Sequence, residues 1–164
     1  MSLTQEIFGA IGWLGLTFGT AWLGARFLPD QWYQNLSKPT WNPPNSIFAP
    51  VWTILYLLMA LAAWLIWRSY GLQATLFPFT MFVLQLLLNA AWSWLFFGRH
   101  RPDLAFLDII GLWLALLITL LSFWRLAALA GILLIPYLAW VSFAAILNWT
   151  VWQMNRNPDS NSKM

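Results

Sequence analysis

Charged side chains divide this chain into five long apolar runs. The runs span about Ile7 to Leu28, Ile47 to Trp67, Ala74 to Phe97, Leu104 to Trp124 and Leu126 to Trp152. Each is about 20 residues or longer, enough for a helix rising 1.5 Å per residue to cross a hydrocarbon core of ~30 Å. The runs are continuously apolar, without the ten-residue alternation of a membrane β-barrel, so the pattern predicts helices. An Arg at the bilayer centre costs about 3 kcal/mol. Arg68, Arg99, Arg101, Arg125 and Arg156 all fall at the ends of runs, where that cost vanishes. The predicted fold class is an all-α integral membrane protein, a five-transmembrane-helix bundle forming one domain over residues 1–164.

Between the first and second runs lies one long connection, Pro29 to Ser46. Its prolines and its Asn and Ser residues forbid a regular helix through its middle. Trp32, Tyr33 and Trp41 make it too apolar for a plain tether. It reads equally as a lid folded over the bundle or as an aromatic anchor at headgroup level. The tail, residues 155–164, is polar and is expected to fray. Five spans put the termini on opposite sides. Arg26, Lys38, Arg99, Arg101, Arg156 and Lys163 share the C-terminal side, whereas Arg68 and Arg125 lie on the other. That split predicts a cytoplasmic C-terminus and an N-terminus on the opposite side.

Composition strengthens the membrane reading and removes chemistry. Of 164 residues, 61% are apolar and 8% charged, against about 25% charged in ordinary soluble domains. Thirteen ionised side chains cannot cover a soluble globule of this size. Cys is absent, which excludes disulfides, thiolate nucleophiles and Cys-ligated metals. One His, His100, cannot build a multi-His metal site, and its place in a charged turn points to solvation. The net charge of +3 comes from scattered basic residues rather than a stripe, so no nucleic-acid partner is expected. No Ser–His–Asp set, carboxylate pair or glycine-rich phosphate loop is present, so no catalytic residue follows from the residues themselves.

Polar residues inside apolar spans usually face protein. Gln85, Asn89, Trp92 and Phe96 follow at steps of four, three and four, forming one stripe on the third helix. Trp52, Tyr56 and Met59 share a face of the second helix, and Trp140, Ala144 and Asn148 share one on the fifth. Three such faces would wall a pocket for a flat, apolar ligand, with indoles for stacking and amides for orientation. Plain helix packing accounts for the same spacing, with the amides bonding between helices. Asp108 lies about one and a half turns into the fourth helix; a proton or ion relay is one reading, and pairing with Arg99 or Arg101, or capping a polar cluster, is the expected one. Gly15 and Gly19 form a small-residue contact motif, suited to a dimer seam or to close packing within the bundle. Pro136 removes one backbone hydrogen bond from the fifth helix.

The stretch KPTWNPPNSIFAPVWTILY, Lys38 to Tyr56, resembles the signature of the TspO/MBR family, the tryptophan-rich sensory and translocator proteins. LNAAWSWLFFGRHRPDLAFLDI, Leu88 to Ile109, and PYLAWVSFAAILNWTVWQMN, Pro136 to Asn155, agree with it. The resemblance covers nearly the whole chain. It implies a five-helix bundle, typically a homodimer, that receives a porphyrin such as protoporphyrin IX or another lipophilic molecule between helices beneath the first loop. It implies no covalently bound cofactor; the tetrapyrrole is a ligand. Matching positions make Trp52, Tyr56, Asn89, Trp92, Trp140, Ala144 and Asn148 the pocket lining. They make Trp41, Pro43 and Pro44 the shape of the lid. Some bacterial relatives degrade porphyrin under light, and Trp52 and Trp140 match the tryptophans tied to that reaction. The animal cholesterol pattern is broken here: Trp149 replaces its Tyr and Gln153 its basic residue, which puts sterol binding in doubt. The expected function is a tetrapyrrole-binding membrane receptor or regulator. The alternatives are a transporter of porphyrins or lipophiles and a light-dependent porphyrin-degrading enzyme.

Overall fold

The computed structural model describes residues 2–156. It contains five long helices: α1 (Leu3–Gly24), α3 (Asn45–Tyr70), α4 (Leu76–Ser93), α5 (Pro102–Leu126) and α6 (Ala128–Asn155). A short α2 (Gln31–Asn35) sits in the first connection. No strand occurs among the described residues. The spans agree with the five apolar runs, shifted by the local chemistry of their ends. α1 begins four residues before Ile7 because Ser2 caps it. The Ser2 hydroxyl accepts from the Gln5 N–H at 3.3 Å while the Gln5 side chain accepts from the Ser2 N–H at 2.9 Å. This reciprocal cap satisfies two otherwise unpaired donors. α3 runs on to Tyr70 and stops at Gly71, whose φ of 71° suits a residue without Cβ. Of the tail expected to fray over residues 155–164, Asn155 is instead the last residue of α6, held by Ser37, and Arg156 follows as its cap; residues 157–164, with the Lys163 charge, lie outside the described residues.

The third span is less regular than its apolar run implies. A 3₁₀ turn (Gln73–Thr75) precedes α4, and a π turn (Trp94–Gly98) follows it. The Arg99 N–H donates back to the Trp94 carbonyl at 2.8 Å, five residues away. One extra residue in the turn rotates the end of the span, and Phe96 and Phe97, adjacent in sequence, both pack on Tyr33 and Trp92. No composition signal marks such a turn.

α5 packs between α4 and α6; α1 packs on α3 and α4; α3 also packs on α6. Met59, Ile66, Phe82, Leu116, Phe123 and Tyr137 are fully enclosed. The outer faces are equally apolar: Leu107, Leu87 and Ile146 are 67%, 62% and 60% exposed. A surface of this kind is matched by lipid rather than water. Between helices already in lipid, apolar contact brings no release of water, so tight packing and interhelical hydrogen bonds must hold the bundle. Such bonds recur: Trp64 Nε1–H to the Glu6 carbonyl at 3.0 Å, and Trp113 Nε1–H to Ser142 Oγ at 2.8 Å. Indoles inside spans therefore serve as donors as well as bulk.

Close approach depends on three glycines, Gly9, Gly98 and Gly131; a Cβ at Gly98 would lie 2.7 Å from the Phe27 ring. A Cβ at Gly9 would lie 1.9 Å from the Trp67 ring. One at Gly131 would lie 2.7 Å from Trp124 Cβ and 2.8 Å from Trp124 Cα. Because the Gly131 clash involves backbone, no rotamer change relieves it. Gly131→Ala should cost a net of about 1–2 kcal/mol, overpacking outweighing the helix propensity that Ala gains. A lowered thermal midpoint in detergent would show it; an unchanged or raised midpoint would refute the packing account. Gly12, Gly15 and Gly19, by contrast, meet nothing within 4 Å. They lie on an outer face, so close packing within the bundle is not their role.

Candidate functional site

A cavity of about 750 Å³ opens among the loop-bearing ends of the helices. Trp52 and Tyr56 from α3, Asn89 and Trp92 from α4, and Trp140 and Ala144 from α6 line it. Six residues named from helical phase and motif thus meet around one space. Its size falls within the roughly 300–1,000 Å³ range of small-molecule sites. No charged side chain lines it among the described residues.

Its aromatic walls brace one another. The Trp52 ring lies 5.6 Å from Tyr56 and 6.0 Å from Tyr137, the latter edge-on. Trp140 meets Phe48 at 5.8 Å and Phe143 at 5.6 Å. Trp92 stacks on Phe96 at 5.2 Å. Neither Trp52 nor Trp140 spends its indole N–H on a protein acceptor among the hydrogen bonds of the described residues, whereas Trp92 donates to Asn148 Oδ1 at 2.9 Å.

The buried amides bond within the protein, except that Gln85 Oε1 has no partner among the described residues. Asn89 Oδ1 accepts from the Tyr56 hydroxyl at 2.6 Å, and Asn89 Nδ2 donates to the Tyr137 hydroxyl at 3.0 Å. This chain joins α3, α4 and α6 at the cavity floor. Asn148 Nδ2 donates to the Pro102 carbonyl at 2.8 Å. Asn148 borders an adjoining recess of about 40 Å³ rather than the main cavity. Gln85 Nε2 donates to Met59 Sδ at 3.7 Å, below the floor. The amides hold helices together first, and any orienting role falls to the lone pairs and hydrogens left over.

The connection between α1 and α3 covers this end and is anchored at several points. Asp30 caps α2 by accepting from the Tyr33 N–H at 3.1 Å, and its other oxygen meets His100 Nε2 at 2.9 Å. Trp32 stacks on the His100 ring at 4.3 Å. His100 is exposed, as its setting in a charged turn predicts, yet it holds φ at +53° to make these contacts. Ser37 exchanges two hydrogen bonds with the Asn155 side chain, at 3.0 and 2.9 Å. The segment therefore folds over the bundle, although Gln31–Asn35 is helical. Tyr33, from this segment, is a cavity wall. Burial raises its phenol above the ordinary value of 10.0.

Three residues expected to shape the lid stand farther out. Trp41, Pro43 and Pro44 do not touch the cavity. Trp41 packs edge-on against Phe143 at 5.8 Å, one ring behind Trp140. The expected pairing of Asp108 with Arg99 or Arg101 is also corrected. Arg101 is held by Asp103, two residues along, at 2.7 Å, and Asp108 Oδ2 is enclosed without a hydrogen-bond partner among the described residues. The short Arg101–Asp103 geometry wins because it needs no reach around the helix.

The first helix is the contribution that phase reasoning on the second, third and fifth helices missed. Phe18, Ala21, Trp22 and Ala25 all line the cavity. They follow at steps of three, one and three, one stripe of a helix. The signal was present but carried no polar residue to draw attention.

The Asp30 anchor has a pH signature. Donation by the Tyr33 N–H, aided by His100, lowers the Asp30 carboxyl below its ordinary value of 3.8. A group lowered in the folded state stabilises above its unfolded value and loses that contribution as pH falls through the folded one. The loop should loosen below pH 3.8 and not above it. Amide exchange at Tyr33, corrected for intrinsic rates, should rise in that window. In Asp30→Ala it should be fast throughout, with no such step. An identical step in both proteins would refute the assignment.

The sequence profile of the TspO/MBR family matches residues 12–153. The chain belongs to the TspO/MBR family. A tryptophan-rich protein TspO of Chlorobaculum tepidum is 40% identical, over 87% of this chain and 92% of its own. The tryptophan-rich sensory protein of Cereibacter sphaeroides is 39% identical, over 82% and 83% of the two chains. The translocator protein of Ovis aries is 34% identical, over 94% and 95%. Family membership and the five long apolar helices together make this a multi-pass integral membrane protein.

Proposed function

We propose that this protein is a membrane receptor or regulator that binds tetrapyrroles of the protoporphyrin IX kind, or similar flat lipophilic molecules, within the bundle. The observation that carries the reading is the single space of about 750 Å³ walled by Trp52, Tyr56, Trp92 and Trp140. Indole faces suit a planar π-system, and walls without charge among the described residues suit an apolar ring. The names of the relatives, sensory protein and translocator protein, fit a binding or regulatory role. Adding protoporphyrin IX to the protein in detergent should quench tryptophan fluorescence saturably. Fluorescence that merely declines in proportion to added pigment would overturn the reading.

Light-dependent degradation of the bound pigment is the second reading. It is favoured by one observation, that Trp52 and Trp140 both face the same space, where an excited porphyrin would touch two oxidisable rings. Loss of pigment absorbance under illumination, dependent on these two residues, separates degradation from binding alone. Orientation follows the same logic of charge. Arg26, Lys38, Arg99, Arg101 and Arg156 belong to the loop-bearing end, and Arg68 and Arg125 to the other. We therefore propose a cytoplasmic C-terminus. The outer-facing Gly15 and Gly19 make α1 the proposed seam of a homodimer.

A further inference from the structure

We propose that Arg26 selects planar ligands bearing a carboxylate, by holding that carboxylate at the mouth of the cavity. The inference rests on the tetrapyrrole reading of the cavity and adds which ligands of that class are preferred and by what residue. The walls carry no charged side chain among the described residues, so any discrimination by charge must come from the rim. Arg26 sits there. Its guanidinium lies 3.9 Å from the centroid of the Trp22 ring. Trp22, Ala25 and Phe27 are all cavity walls, so the residue is bracketed by the lining on its own stretch of chain. Stacking on an indole fixes the guanidinium while leaving its N–H edge available, the geometry that meets a carboxylate in two parallel hydrogen bonds.

The other basic residues at this end are engaged or lie away from the walls; Arg156 follows the end of α6, about three turns beyond Ala144, the last α6 residue to line the cavity. Lys38 donates to the Gln34 and Leu36 carbonyls at 3.2 and 3.1 Å. Arg101 is held by Asp103. Arg99 leans on Trp94, which is not a wall. Arg26 makes no ion pair among the described residues, and the nearby loop acid, Asp30, is taken by His100 and the Tyr33 N–H. A flat ring lodged among the indoles with an acidic substituent reaching the mouth would therefore meet one poised cation.

The test compares protoporphyrin IX, a dicarboxylic acid, with its dimethyl ester, which keeps the ring and loses the charge. The native protein should bind the diacid roughly three- to tenfold more tightly, the range for a partly exposed charge-assisted contact. Raising ionic strength should shrink that ratio. Arg26→Gln should bring the ratio to about one by weakening the diacid alone. Arg26→Lys, which keeps charge but not the planar fork, should fall between. Unchanged ester binding by both variants shows that the cavity is intact. Equal affinities in the native protein, or a ratio that survives Arg26→Gln, would overturn the inference while leaving the cavity reading in place. Failure of the native protein to bind either compound would sink the cavity reading, and this inference with it.

Discussion

Replacing Trp52 and Trp140 together with alanine is expected to weaken protoporphyrin IX binding by roughly 30- to 1,000-fold. Each indole offers a stacking face to the cavity, and truncating a central aromatic anchor typically costs about 1–2 kcal/mol or more. The pair is chosen because neither indole N–H holds a protein acceptor among the described residues. Their loss should therefore spare the bundle, unlike loss of Trp92, which would also strip Asn148 of its donor. Both residues are only partly buried, which limits the cavity penalty that a fully packed Trp would carry. Fluorescence of the remaining tryptophans would be confounded by the deletions, so pigment absorbance or equilibrium dialysis should read the affinity. A helical spectrum and thermal midpoint close to those of the native protein would show that the fold survives. Affinity unchanged in such a folded double variant would remove the cavity from any account of porphyrin binding.

How much of the fold and the cavity is legible in the sequence depends on what each signal measures. Hydropathy reports the solvent of a segment, and here the outer faces of the helices are apolar, so five spans are plain from the apolar runs. Their ends are not, because ends depend on caps: Ser2 extends α1, and the apolar count alone cannot see a hydroxyl. Helical phase finds the residues that share a face, since Gln85, Asn89 and Trp92 must project together once α4 is a helix. Together with motif position it placed Trp52, Tyr56, Asn89, Trp92, Trp140 and Ala144 around one space. Phase cannot tell whether an amide is free or bonded. Asn89 and Asn148 turn out to be ties between elements, the bland alternative for such residues. Nor does phase carry through an irregular turn. The π turn after Ser93 accompanies tertiary contacts, Phe97 and Phe96 both packing on Tyr33, which no local pattern encodes, whereas the short α2 has a local signal in its Asp30 cap. Motif position named Trp41 with the lid, and there it packs on Phe143 behind the wall rather than in it: a residue can belong to a signature because it supports a wall.

Asn89→Leu is expected to destabilise the protein by about 1–3 kcal/mol. The substitution keeps the branched shape and removes both hydrogen-bonding atoms. Tyr137 is fully enclosed, so water cannot replace the lost amide at its hydroxyl, and Tyr56 is only 5% exposed. An orphaned buried polar group costs about 1–3 kcal/mol against a soluble reference, but helices separated in lipid also find partners, which pulls the figure down. The magnitude matters less than a cycle built on it. Tyr56→Phe and Tyr137→Phe together should also destabilise, by leaving the Asn89 amide unpaired. Combining all three changes should recover most of the loss, because replacing every member of a polar chain by apolar groups removes the penalty of unpaired atoms. Thermal midpoints in one detergent give the comparison. If Asn89→Leu leaves the midpoint unchanged yet abolishes ligand binding, the amide is a ligand contact and not a tie between α3, α4 and α6. If it lowers the midpoint, and the triple variant restores both midpoint and binding, the amide acts on the ligand only by holding Tyr56 and its helix at the cavity floor.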